Sequence, residues 1–130
     1  MENSRVNASL EYKHSGYNCC QSVVLTYADK LNIEKEDLLN IASGFGMGMG
    51  CMEGTCGALC GAVIVAGILQ KGERTTLVSK KILQSFKDKC GDTVCKTLKG
   101  VETGKTLCSC DECVKNAVLA LEEQFSTEKV

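Results

Sequence analysis

The chain has 130 residues, of which 10 are cysteine and none is proline or tryptophan, and its 15 basic and 16 acidic side chains leave a formal net charge of −1. So near-neutral a balance excludes the electrostatic footprint of a nucleic-acid binder, and a chain this long buries a core without cysteine staples. Met1 to Ser15 is polar and mixed, with no signal-peptide pattern, so a cytoplasmic protein is expected, in which clustered thiols serve metal or redox chemistry before permanent disulfides.

Apolar residues recur at helical rather than alternating spacing, which predicts an all-α fold. The expectation is a single compact bundle of five or six helices around a buried central helix, with residues 1–130 forming one domain without repeats or linkers. A first helix is predicted over Val6 to His14 and is interrupted by Ser15-Gly16. Asn18 and Gln21 then have capping-box spacing for a second helix, whose apolar stripe runs through Val23, Val24, Tyr27 and Leu31. A third is predicted from Ile33 to Ser43, ending in glycine. Thr55 reads as the cap of a helix over Cys56 to Leu69, apolar on every face and rich in small residues, as a central helix would be, and too short to span a membrane. Gly72 closes it. Val78, Ile82, Phe86 and Cys90 mark the inward stripe of the next helix, which Gly91 stops. A short helix near Val94 to Leu98 and a loop over Gly100 to Leu107 follow. Ser109 and Glu112 then box the start of a final helix that buries Val114, Ala117, Val118, Leu121 and Phe125.

Four cysteines fall at predicted helix starts: Cys19 after Asn18, Cys56 after Thr55, Cys95 after Asp92-Thr93, and Cys113 after Ser109. Free N–H groups and the positive end of the helix dipole stabilise a thiolate there, so these four thiols are expected to ionise easily. The run from Gly44 to Cys51 has glycine at every second position and suits neither helix nor strand. Gly46, Gly48 and Gly50, with Gly57, either bring backbone N–H groups to an anionic cofactor beside Cys51 and Cys56, or allow a tight crossing over the central helix. No phosphate-loop motif is present. His14 is the sole histidine and reads as an exposed helix-end residue, which argues against mixed Cys/His zinc sites.

Gly16-Tyr17-Asn18-Cys19, Cys56-Gly57-Ala58-Leu59-Cys60-Gly61, Cys95 and Cys113 together resemble the C_GCAxxG_C_C family of redox-active proteins, marked by four separated cysteines and a CGAxxG motif. The resemblance implies a small, helical, redox-active protein with Cys19, Cys56, Cys95 and Cys113 at the matching positions and Cys20 as a substitute for Cys19. The other cysteines exceed what a four-thiol mechanism requires.

Two redox readings follow. The four matching cysteines ligate an iron–sulfur cluster for electron transfer, with Cys51, Cys108 and Cys110 as additional ligands, or they act without metal as redox-active thiols in disulfide exchange. The cluster is preferred because of the number of thiols; bound zinc is the non-redox alternative. The close set Cys108, Cys110 and Cys113 offers three ligands on one loop and helix start, whereas Cys60 and Cys90 lie in apolar stripes and read equally as core. The lysines of the middle segment, Lys99 among them, either attract an acidic redox partner or lower nearby thiol pKa values, or form a solvated helical face, which is the favoured reading. The implied partner is another redox protein, with no nucleic acid or membrane insertion and a homodimer left open.

Overall fold

The computed structural model describes residues 4–125. Among them the chain forms α1 (Ser4–His14), α2 (Cys19–Thr26), α3 (Ala28–Leu31), α4 (Lys35–Ala42), α5 (Gly57–Leu69), α6 (Thr75–Cys90), α7 (Cys95–Lys99) and α8 (Cys110–Phe125), with no strand. Six helices of eight residues or more make an all-α bundle, and the one-turn helices α3 and α7 join them. No described helix is long and apolar enough to cross a membrane.

Local chemistry accounts for most boundaries. The Asn18–Gln21 box closes in both directions, Gln21 N–H donating to Asn18 Oδ1 at 2.8 Å and Asn18 N–H to Gln21 Oε1 at 3.1 Å. The final helix starts on Ser109, whose Oγ accepts from Glu112 N–H at 3.2 Å, and α6 stops on Gly91 at φ 99°. The second predicted helix differs, because it breaks at Tyr27 into α2 and α3. Arg5 of α1 explains the break, donating to the Thr26 carbonyl at 2.6 Å, pairing with Asp29 at 2.8 Å, and lying 4.7 Å from the centre of the Tyr27 ring. Those contacts hold a carbonyl that a continuous helix would use internally. The third helix spans only Lys35–Ala42 and passes into a 3₁₀ turn over Ser43–Phe45.

Helix α5 packs against α2, α3, α6 and α8. Its flank of Ala58, Leu59, Ala62, Val65 and Ala66 is buried, whereas Cys60, Ile64, Ile68 and Leu69 are half-buried. The CGAxxG spacing has a direct packing reason. A Cβ at Gly61 would lie 2.9 Å from the Cys20 carbonyl oxygen and 3.0 Å from Val23 Cβ, and one at Gly57 would lie 2.7 Å from the Phe45 carbonyl oxygen. Four residues apart, the two glycines share a helix face and let α2 and the 3₁₀ turn approach to backbone distance. Val23, Leu38, Leu59, Ile82, Phe86, Leu98, Val114 and Leu121 complete the core.

Candidate thiol site

The two helix starts at Cys56 and Cys95 are joined by a small backbone clasp. Thr55 and Val94 form an isolated antiparallel bridge, with Cys56 N–H donating to Thr93 O at 2.8 Å and Cys95 N–H to Gly54 O at 3.0 Å. Thr55 is therefore not the cap of α5, because the bridge engages it; Cys56 itself occupies the cap position. The glycine-rich run, read from sequence as neither helix nor strand, winds into a single wide helical turn over Gly48–Met52 with left-handed residues inside it. Gly48 has φ +57°, and a Cβ on it would lie 2.5 Å from Cys95 Cβ, so the turn can press on Cys95 only through a glycine.

Cys19, Cys56, Cys95 and Cys110 border one cavity of about 300 Å³, together with Gly48, Gly57, Lys13 and Lys99. Adjoining it is a second set of thiols, in contact where Cys113 meets Cys56. The Cys90, Cys108 and Cys113 sulfurs lie within 4.8 Å of one another and are positioned to bind a metal ion. Lys99 connects the two sets: it borders the cavity, and its Nζ donates to Cys113 Sγ at 3.3 Å and to the Cys108 carbonyl at 3.3 Å. Buried Asn116 directs Nδ2 at Cys90 Sγ, 3.3 Å away, and lies 3.9 Å from Cys108 Sγ. All ten cysteines are free.

Of the four thiols expected at helix starts, Cys113 is instead the fourth residue of α8, its N–H donating to Ser109 O at 2.8 Å, and none of the four is easily ionised. Contact with Cys110, then burial, pushes Cys19 up; contact with Cys113, then burial, pushes Cys56 up, against the N–H groups of Leu59 and Ala58. Burial raises Cys95, with Lys99 opposing. At Cys113 the contact with Cys56 lowers the pKa, but contact with Cys90 and burial outweigh it and the net shift is upward. Loss of water and thiol neighbours thus exceed the roughly half charge of a helix N-terminus. The ionised member of the set is Cys110, pushed down to about 5 by Cys19, with Lys99 and Lys13 helping against burial. Burial opposes the charge of Lys99, yet Cys113, Cys110 and Cys56 hold its pKa above the ordinary lysine value. Burial first pushes Cys20 up to about 12 and Cys60 to about 11.

The structure sorts the candidate residues. Cys19, Cys56 and Cys95 meet at the cavity, and Cys113 lies in the adjoining set, against Cys56. The close set of three divides, Cys110 joining Cys19 while Cys108 and Cys113 join Cys90. Cys20 is fully buried on α2 and does not border the cavity that Cys19 borders, because adjacent helical positions face different ways. Cys51 is exposed, its Sγ 3.9 Å from the Gly48 carbonyl, and does not border the cavity. Gly48 and Gly57 do; Gly46 instead packs on the Asn18 side chain, and Gly50 faces open space. His14 is exposed and lies 2.8 Å from Asp111.

Lys13, Lys99, Cys90 and Asn116 are site residues that sequence reasoning did not assign. Lys99 follows Cys95 by four residues and Asn116 follows Cys113 by three, so helical spacing carried a signal for both. A family model described as "Putative redox-active protein (C_GCAxxG_C_C)" matches residues 17–124. No curated protein and no solved structure matches the chain.

Proposed function

We propose that the chain, which belongs to the C_GCAxxG_C_C family of redox-active proteins, transfers electrons through an iron–sulfur cluster held by Cys19, Cys56, Cys95 and Cys110. The observation that carries this reading is the cavity of about 300 Å³ bordered by those four thiols and by Lys13 and Lys99. A four-thiolate shell is the donor set such clusters take, and a cluster bound there supplies one-electron transfer. The residues contribute charge and shape. Lys99 and Lys13 oppose the negative charge of the thiolates, Gly48 lets the glycine-rich turn close on Cys95, and the backbone clasp fixes Cys56 beside Cys95. Cys19, Cys56 and Cys95 have raised pKa values, so ligation displaces their protons and strengthens as pH rises. The physiological partner is a redox protein that exchanges electrons at this end of the bundle.

The test is anaerobic reconstitution of the full chain with iron and sulfide, followed by a visible spectrum and metal analysis. Matched iron and sulfide with charge-transfer absorption is expected, lost in Cys19→Ser, Cys95→Ser and Cys110→Ser and retained in Cys51→Ser. A colourless chain without bound iron or sulfide overturns the cluster.

A second reading is supported by one contact. Ionised Cys110 lies against Cys19, the arrangement of an attacking thiolate and a resolving thiol. Cys110 attacks a disulfide substrate and releases one thiolate from it. Cys19, on deprotonation, then displaces the second substrate sulfur, leaving a Cys19–Cys110 disulfide and a substrate reduced by two electrons. Reduction of one equivalent of a small disulfide by reduced, iron-free protein, leaving a Cys19–Cys110 disulfide and abolished in Cys110→Ser, distinguishes this reading from the cluster.

A further inference from the structure

We infer that Cys90, Cys108 and Cys113 form a second site, adjoining the cavity through Lys99 and Cys56 but sharing no ligand with it, that holds a single copper(I) ion on three sulfurs. The three thiols come from the end of α6, the loop after α7 and the first turns of α8, and are 4 %, 6 % and 0 % exposed. None of them borders the cavity. A planar trigonal ion with metal–sulfur bonds of about 2.3 Å places its sulfurs about 4.0 Å apart, so the set closes on an ion by sulfur movements of less than about 1 Å from the observed 4.8 Å limit.

The donor count selects the ion. Among the described residues, no fourth cysteine, histidine or carboxylate lies within 4.8 Å of all three sulfurs; Cys56 touches Cys113 alone and belongs to the cavity. Structural zinc takes four ligands almost without exception, whereas copper(I) is a soft ion satisfied by three thiolates. Each sulfur also has a polar neighbour: Lys99 Nζ is 3.3 Å from Cys113 Sγ, and Asn116 Nδ2 is 3.3 Å from Cys90 Sγ and 3.9 Å from Cys108 Sγ. Copper(I) on three thiolates has a charge of −2, of which the ammonium of Lys99 offsets one unit and the amide of Asn116 disperses part of the rest. Binding releases the thiol protons to solvent and involves no change of oxidation state.

The experiment titrates reduced, iron-free full-length protein with copper(I) under anaerobic conditions against a chromophoric copper(I) chelator. One tightly held ion is expected, with near-ultraviolet thiolate-to-copper absorption and the luminescence of copper(I) shielded from water. Cys90→Ser and Cys108→Ser should abolish both signals. Asn116→Leu, which removes an outer hydrogen-bond partner, should weaken binding by about 10–100-fold, and the Cys19→Ser/Cys110→Ser double variant should leave it unchanged. Copper retained in Cys90→Ser and lost in the double variant overturns the site, as does zinc displacing copper in a form that requires Cys56. X-ray absorption on the copper-loaded wild-type chain decides the matter even if a serine variant fails to fold: three sulfurs support the assignment, and two or four refute it. Because these readouts use iron-free protein, failure of the cluster reading leaves them intact.

Discussion

Alkylation of Cys110 offers the most direct probe of the cavity's electrostatics. An ordinary cysteine titrates near 9, whereas Cys110 is held near 5, first by Cys19 and then by Lys99 and Lys13. At pH 7 this makes Cys110 predominantly thiolate where an ordinary cysteine is predominantly thiol. The rate does not rise in proportion, because nucleophilicity falls with basicity. The distinguishing quantity is therefore the pH profile. In a reduced, metal-free Cys51→Ser background, Cys110 should react with iodoacetamide at a rate that is level from about pH 6.5 to 9, whereas an ordinary thiol gains about tenfold per pH unit over most of that range. Rates are read peptide by peptide by mass spectrometry. Cys19→Ala removes the largest stabilising contact and should move the inflection upward, and Lys99→Met should move it in the same direction by less. A tenfold-per-unit rise at Cys110 between pH 7 and 9 in the wild-type site would refute the assignment of Cys110 as the ionised thiol.

Gly61→Ala places a Cβ 2.9 Å from the Cys20 carbonyl oxygen. Overpacking of about 1–3 kcal/mol against a helix-propensity gain of about 1 kcal/mol leaves about 1 kcal/mol of destabilisation, or about 3–5 °C in Tm by calorimetry; a raised Tm contradicts the close α2–α5 contact. Asn18→Ala removes the capping box and should cost about 1 kcal/mol in urea denaturation, whereas an unchanged midpoint would show that the box contributes nothing. Tyr27→Phe loses the 2.7 Å hydrogen bond to Glu122 Oε2 and should cost about 1–2 kcal/mol by the same method. Gly48→Ala combines about 1–2 kcal/mol of left-handed backbone strain with a 2.5 Å approach to Cys95 Cβ. It should lower both Tm and the reconstituted iron content, and normal loading would separate the turn from the site.

The helices were legible because their signals are local. Asn18 with Gln21, Ser109 with Glu112, and Gly91 each act within one turn of a helix end, and the stripe of Ile82 and Phe86 needs only a helix to define a face. The break at Tyr27 was not legible, since it depends on Arg5 reaching it from another helix. The same division holds at the site. The placement of Cys19, Cys56 and Cys95 at helix starts follows from nearby residues, but ionisation depends on which sulfurs meet, and those contacts cross the bundle. Cys90 resembled a core residue because its stripe does bury it; its neighbours are the thiols of another helix and a loop. In the sequence Lys99 reads as one more solvated lysine, because only the folded chain brings Cys108 and Cys113 against it.

The backbone clasp between Thr55 and Val94 also bears on the order of assembly. Its two halves are separated by the whole α5–α6 hairpin, and the entropy of closing so long a segment is reduced once those helices have formed and docked. The clasp is therefore expected to close late in folding, after the hydrophobic bundle has collapsed. Until then Cys56 and Cys95 have no fixed relation to each other, and ten thiols on a newly made chain remain open to mispairing. Oxidative refolding should accordingly trap scrambled disulfides, and reduced conditions should be needed for the bundle to close before its sulfurs react.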